Sequence, residues 1–216
     1  MNPLFSWFYK IFITPLIAKL FIKKIKGLEN IPNGNFILAS NHQSYLDIIF
    51  GCYLCVPRSF HFIGQIEGFK IPIRWLISSV YFLSGVIPLN RKDEKSREKV
   101  IKKAIQVLKK GDILIIYPEG KRSADGVIQN GKFGAARIFL KTKIPILPVG
   151  IKGTFETLPP KGKLKIKKII KINIGKLLFF EKEFAEAKNL DENSEEYKKI
   201  LQKITDKTME EINNLC

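Results

Sequence analysis

Only three cysteines occur in the 216 residues, an odd number that supports no disulfide framework. The first residues show no small-residue cleavage site of a secretory signal, so a reducing compartment is expected. Cys52 and Cys55 form a C-x-x-C, but no second cysteine pair exists to complete a zinc site, and no metal is expected. Their neighbours Tyr53, Leu54 and Val56 fit a buried helix. Arginine is scarce, and no strand-like stretch interleaves aromatic with basic residues, so nucleic acid is not the expected partner. A spanning helix needs about 20 consecutive apolar residues with few charges, and Lys10 and Lys19 break up the most apolar stretch. There is no G-x-S-x-G elbow to supply an acyl-enzyme serine. No internal repeat or low-complexity linker is present.

What the chain has in excess is positive charge. Lys and Arg number 37 against 20 Asp and Glu, a formal charge of +17. Charge alone points to an anionic partner: a membrane surface, nucleic acid, an acidic protein or a phosphorylated substrate. The length allows one domain with a sizeable core, or a domain plus a short appendage. Residues 1–26, "MNPLFSWFYKIFITPLIAKLFIKKIK", form such an appendage. Trp7 and Phe8 would anchor a helix or broken helix lying in the bilayer interface, with Lys10, Lys19, Lys23 and Lys24 on anionic headgroups. A helix packed on the domain stays open as the other reading. Residues 75–90 are also uncharged and look like core or pocket lining.

From residue 27 to 216 strands and helices alternate. Residues 36–39 read as a buried strand, 45–53 as a helix and 60–64 as a second strand. Val100, Ala104, Val107 and Leu108 fall at helical spacing, with Gly111 as the stop. "DILIIYP" and "IPILPVGI" are buried strands with the helix "GKFGAARIFLKT" between them. "KLKIKKIIKINIG" alternates like a half-exposed strand, with a break of phase at Lys167 and Lys168. Residues 194–215 form an amphipathic helix with Tyr197, Ile200, Leu201, Ile204, Thr208, Ile212 and Leu215 on one side. The class is α/β, a mixed and mostly parallel sheet flanked by helices, with an amino-terminal membrane-associating helical segment. In such folds chemistry gathers at the carboxyl ends of strands, where His42 and Glu119 fall.

The chain has two histidines. His42 and Asp47 are five apart in "NHQSYLD", so inside one helix they would point about 140° apart. They converge only if His42 stays in the loop and Asp47 sits one turn into the helix, with Asn41 or Ser44 as a cap. That leaves one imidazole nitrogen on a carboxylate and the other free as a base. Spacing alone leaves a structural pair and a catalytic pair equally open. His61, in "RSFHFIG", reads as structural.

Three more clusters follow in order: "GVIPLNR", ending at Arg91; "YPEGKRSADG", residues 117–126; and "IPILPVGIKGT", containing Pro148. With "NHQSYLD" they resemble, in order and spacing, the four motifs of the glycerolipid acyltransferase family, of the bacterial 1-acylglycerol-3-phosphate acyltransferase type. The likeness covers roughly residues 27–155, and Lys121 stands where the family has threonine. Each motif alone is weak, but four in order are specific.

The resemblance implies acyl transfer in phospholipid biosynthesis, from acyl-CoA or acyl-acyl-carrier-protein to the free hydroxyl of lysophosphatidic acid, giving phosphatidic acid. His42 would be the general base and Asp47 its orienting partner, with no acyl-enzyme and no cofactor beyond the thioester. Arg91, Glu119, Gly120, Lys121, Arg122 and Ser123 would bind the acceptor, with Glu119 holding Arg91 or a backbone amide in place. Asn41 and Ser44 would position the loop. Anionic membrane lipids would be partners, and the expected location is the cytoplasmic face of the cell membrane, peripheral or monotopic. Another lysophospholipid or glycerol 3-phosphate as acceptor remains an alternative. So does, as another class, a non-catalytic basic protein that binds membranes or nucleic acid.

Overall fold

The computed structural model describes residues 7, 8, 11, 12, 14–65, 85–90 and 92–216. Arg91, expected on the acceptor, lies outside the described residues, as does most of the 75–90 stretch.

Buried apolar runs make the centre of the sheet. β2 (Ile37–Ser40) and β5 (Ile113–Ile116) are buried at every position. Apolar runs of this kind belong to strands covered on both faces. Ile37, Ala39, Leu114 and Ile116 pack into one apolar cluster, and Leu38, Ile113 and Ile115 into another. With β1 (Ile22–Lys26), β3 (Phe60–Gln65), β4 (Val86–Leu89), β6 (Ile146–Lys152) and β7 (Ile170–Ile174), the described residues form a seven-stranded sheet ordered β1-β7-β6-β2-β5-β3-β4. Every neighbouring pair is parallel except β6 and β7. The expected mixed, mostly parallel sheet is what forms.

Helices cover both faces. α1 (Thr14–Phe21) and α2 (Leu46–Cys55) pack on the second cluster; α3 (Glu94–Lys109), α4 (Gly134–Thr142), α6 (Glu181–Ala187) and α7 (Glu195–Leu215) pack on the first. Asp93 caps α3 through the amide of Lys95, and Ser194 caps α7 through that of Tyr197. Cys52 and Cys55 lie buried in α2, where burial pushes the Cys52 thiol up to about 12. His61 joins the carbonyl of Gly85 and the carboxylate of Asp112, both at 3.0 Å, at the end of the sheet opposite His42.

Two segments depart from the sequence reading. Ile22–Lys26, assigned to the amino-terminal appendage, is an edge strand of the sheet, paired with β7. The lysine-rich half of the expected strand, residues 163–168, is exposed outside the ladder, and β7 begins only at Ile170. Among the described residues no helix is long and apolar enough to cross a membrane. Trp7, Phe8, Phe12 and Leu16 are exposed.

Candidate active site

β2 delivers the chain to the carboxyl end of the sheet at Ser40. The next residue, Asn41, is fully buried. Its amide accepts from the N–H of Ile151 and donates to the carbonyl of Ile151, both at 2.8 Å, so it continues the ladder to β6 with a side chain. Asn41 therefore anchors the loop and caps no helix.

His42 follows. Its backbone N–H donates to Oε1 of Glu119 at 2.6 Å, and its carbonyl accepts from the N–H of Ser123 at 2.8 Å. The loop after β5 thus grips the histidine peptide on both sides. Nδ1 of His42 lies 3.0 Å from Oδ2 of Asp47, which also accepts the N–H groups of Gln43 and Ser44 at 2.6 Å each. Asp47 sits in the first turn of α2 and is fully buried. An ionised carboxylate only accepts, so this contact places the imidazole proton on Nδ1 and leaves the Nε2 lone pair. Tyr117 stacks on the imidazole, with centroids 4.2 Å apart and planes 20° from parallel. The ring then has its plane fixed by Tyr117 and its edge by Asp47.

Glu119 is 1% exposed. Besides His42 it accepts the N–H of Gln129 at 2.8 Å through Oε2. Burial raises its carboxyl above the ordinary value, while the two amide hydrogen bonds pull it down. Glu119 thus holds backbone amides, one of the two expectations for it; Arg91, the other, lies outside the described residues. Gly120 has φ +70, and a Cβ there would lie 3.0 Å from Cδ of Lys132 and 3.3 Å from its Nζ. Only glycine adopts this backbone cheaply, and it lets Lys132 lie across the loop. Lys121 is exposed. The Arg122 guanidinium lies 3.6 Å from the centroid of the Tyr45 ring, and its buried Nη1 has no hydrogen-bond partner among the described residues. Ser123 is buried and donates its hydroxyl to Asp125 at 2.8 Å.

Ser44 donates its hydroxyl to the carbonyl of Leu158 at 2.7 Å and accepts the N–H of Leu46 at 3.2 Å. It ties the histidine loop to the segment after α5 (Thr154–Thr157). Tyr117, Lys132 and the amides of Gln43 and Ser44 had no assigned role in the sequence reading. Tyr117 adjoins the third motif, which is a usable signal. Lys132 has none, because its approach depends on the fold.

The histidine loop, the loop after β5 and the end of β6 thus converge on one point at the carboxyl edge of a mostly parallel sheet. The same arrangement has relatives. Residues 23–152 match the acyltransferase family. A chloroplastic 1-acyl-sn-glycerol-3-phosphate acyltransferase of Arabidopsis thaliana is 38% identical over 138 residues, 62% of this chain and 37% of that protein. The 1-acyl-sn-glycerol-3-phosphate acyltransferase of Bacillus subtilis is 30% identical over 148 residues, 66% of this chain and 70% of that protein. The crystal structure of the 1-acyl-sn-glycerophosphate acyltransferase PlsC from Thermotoga maritima superposes with a TM-score of 0.64 at 26% identity, over 97% of this chain and 87% of that one. The matched region spans only 37% to 45% of the plant and algal relatives. With more than half its length matched, this chain belongs to the acyltransferase family.

Proposed function

We propose that the protein transfers a fatty acyl group from a thioester donor, acyl-CoA or acyl-acyl-carrier-protein, to the free hydroxyl of 1-acylglycerol 3-phosphate, giving phosphatidic acid. The observation that carries the reading is the 3.0 Å contact between Nδ1 of His42 and Asp47, which leaves Nε2 available as a base. The names of the relatives in plants and bacteria support the acceptor.

A lipid hydroxyl is a poor nucleophile, so it must lose its proton as it attacks. Nε2 of His42 takes that proton while the hydroxyl oxygen bonds to the thioester carbonyl carbon. Asp47 stabilises the imidazolium that forms. The tetrahedral intermediate collapses, the C–S bond breaks, and the proton passes from His42 to the departing thiolate. No cofactor beyond the thioester is required. The Ser44 hydroxyl is engaged with Leu158, which favours direct attack over an acyl-enzyme.

The acceptor phosphate is assigned to Arg122. Its guanidinium lies over the Tyr45 ring and has a donor left over, and a guanidinium is the planar donor that phosphate favours. Lys121 and Lys132, which lies against Gly120, add charge to the same loop, and Arg91 joins them on the motif resemblance. Glu119, Gly120 and Ser123 act by shaping the loop. The exposed Trp7, Phe8 and Phe12 and the surplus of lysine support work at the cytoplasmic face of an anionic membrane.

The test is purified protein in lipid or detergent, offered lysophosphatidic acid with acyl-CoA and with acyl-acyl-carrier-protein in parallel. Phosphatidic acid formation from either donor upholds the reading. A protein that acylates only unphosphorylated acceptors would contradict it.

A further inference from the structure

The segment between α5 and β7 has the composition of a strand but no sheet to join. Residues 161–168 are all exposed and adopt no regular structure. Leu164 is 50% exposed and Ile166 65%, each flanked by lysine in "KGKLKIKK". From residue 157 to residue 180 there is no acidic side chain. Two large aliphatic side chains kept in water among five lysines call for a covering partner.

The sheet register shows where this segment sits. Its end leads into β7, which begins beside β1, with Ile22 opposite Ile170. β7 runs antiparallel to β6, with Lys171 opposite Lys152. β6 in turn runs parallel to β2, with Ser40 opposite Val149. The amino ends of β1 and β7 therefore share one end of the sheet with the carboxyl ends of β2 and β6. At that end are His42, the close of α1 at Phe21 and the close of the 161–168 segment. Its base is tied to the site as well: the Lys165 N–H donates to the carbonyl of Thr157, and the adjacent Leu158 carbonyl accepts from Ser44.

We propose that residues 161–168 form a second contact with an anionic bilayer, additional to the amino-terminal segment. Leu164 and Ile166 enter the interfacial region, and Lys161, Lys163, Lys165, Lys167 and Lys168 meet the headgroups. Nucleic acid or an acidic protein would reward the lysines alone, whereas a bilayer rewards the alternation of lysine with exposed Leu and Ile. The 161–168 segment and the close of α1 both lie at the site end of the sheet, so docking brings His42 to the surface that holds the acceptor. This rests on the reading of the acceptor as a bilayer lipid.

The experiment is flotation of the full chain with vesicles of phosphatidylcholine alone and with about a third phosphatidylglycerol. Leu164→Ser with Ile166→Ser should need about five- to tenfold more anionic lipid for half-binding. Lys163→Gln, Lys165→Gln and Lys167→Gln together should need about tenfold more, on anionic vesicles only. Melting temperatures should stay unchanged, because all five side chains are exposed. A solvatochromic dye on Ile166→Cys, in a Cys216→Ser background, should shift to the blue on anionic vesicles even where the amino-terminal segment dominates binding. Unchanged emission from vesicle-bound protein overturns the proposal, whatever the flotation of the two variants. So does normal flotation combined with lost binding to an acidic carrier protein or to DNA, which would assign the loop to that partner. Flotation involves no acyl transfer, so a chain that floats but does not acylate lysophosphatidic acid overturns the proposed activity alone.

Discussion

Oε1 of Glu119 accepts the backbone N–H of His42 at 2.6 Å across 77 residues of sequence. The third motif therefore works on the first through the peptide rather than through the imidazole. Glu119→Gln retains one accepting oxygen and sets an NH₂ group against the other amide. It should cost about 1–3 kcal/mol of stability and lower turnover by loosening the histidine loop. Circular dichroism melts and initial rates measure the two effects.

The same carboxyl gives a pH dependence. Burial raises it above the ordinary value of 4.5, so the folded protein binds its proton more readily than the unfolded chain does. Its share of the stability is complete below the ordinary value and is lost as pH rises through the raised one. Urea titrations of wild type and Glu119→Gln should show the wild-type advantage shrinking as pH rises above 4.5. A growing advantage would contradict the direction.

Tyr117 holds the face of the imidazole by stacking. Tyr117→Phe keeps the ring and should stay within severalfold of wild-type kcat. Tyr117→Leu loses the flat surface and should lower kcat by about tenfold or more with little change in acceptor KM. Equal losses in the two variants would remove the stacking from the account.

Arg122→Ala should lower acceptor kcat/KM by about 10–150-fold, the equivalent of one charge-assisted contact of about 1.5–3 kcal/mol. The donor KM should move little. Arg122→Lys should rescue poorly, because an ammonium over Tyr45 offers no planar fork. Equal losses on phosphorylated and unphosphorylated acceptors would take the phosphate away from Arg122.

Asp47→Asn keeps a carbonyl oxygen where Oδ2 now accepts from His42, Gln43 and Ser44. The loop should therefore survive while the negative charge opposite the imidazolium is lost. Turnover should fall by about 10²–10⁴ with a small change in melting temperature.

Local signals carried most of the fold. Apolar runs marked β2, β5 and β6, and periodic faces marked α3 and α7. β1 was hidden because Ile22 and Ile25 are three apart, which a regular strand would send to opposite faces. Its pairing with β7 shifts register between Ile22 and Lys24. The opposite error fell at residues 163–168, where alternation is present and a neighbouring strand is not. Alternation is a property of a segment, whereas pairing is a property of the sheet. The site divides in the same way. The convergence of His42 and Asp47 was legible from their spacing of five. The grip of Glu119 and Ser123 on the His42 peptide, and the place of Tyr117 over its ring, depend on β2 and β5 lying side by side.

The central claim is that His42 is the base, and the most direct measurement is acyl transfer to lysophosphatidic acid by purified, folded His42→Ala. Turnover should fall by about 10²–10⁴ or more, with wild-type melting temperature and wild-type retention on anionic vesicles. Retention of more than about a tenth of wild-type turnover by the folded variant would contradict the claim.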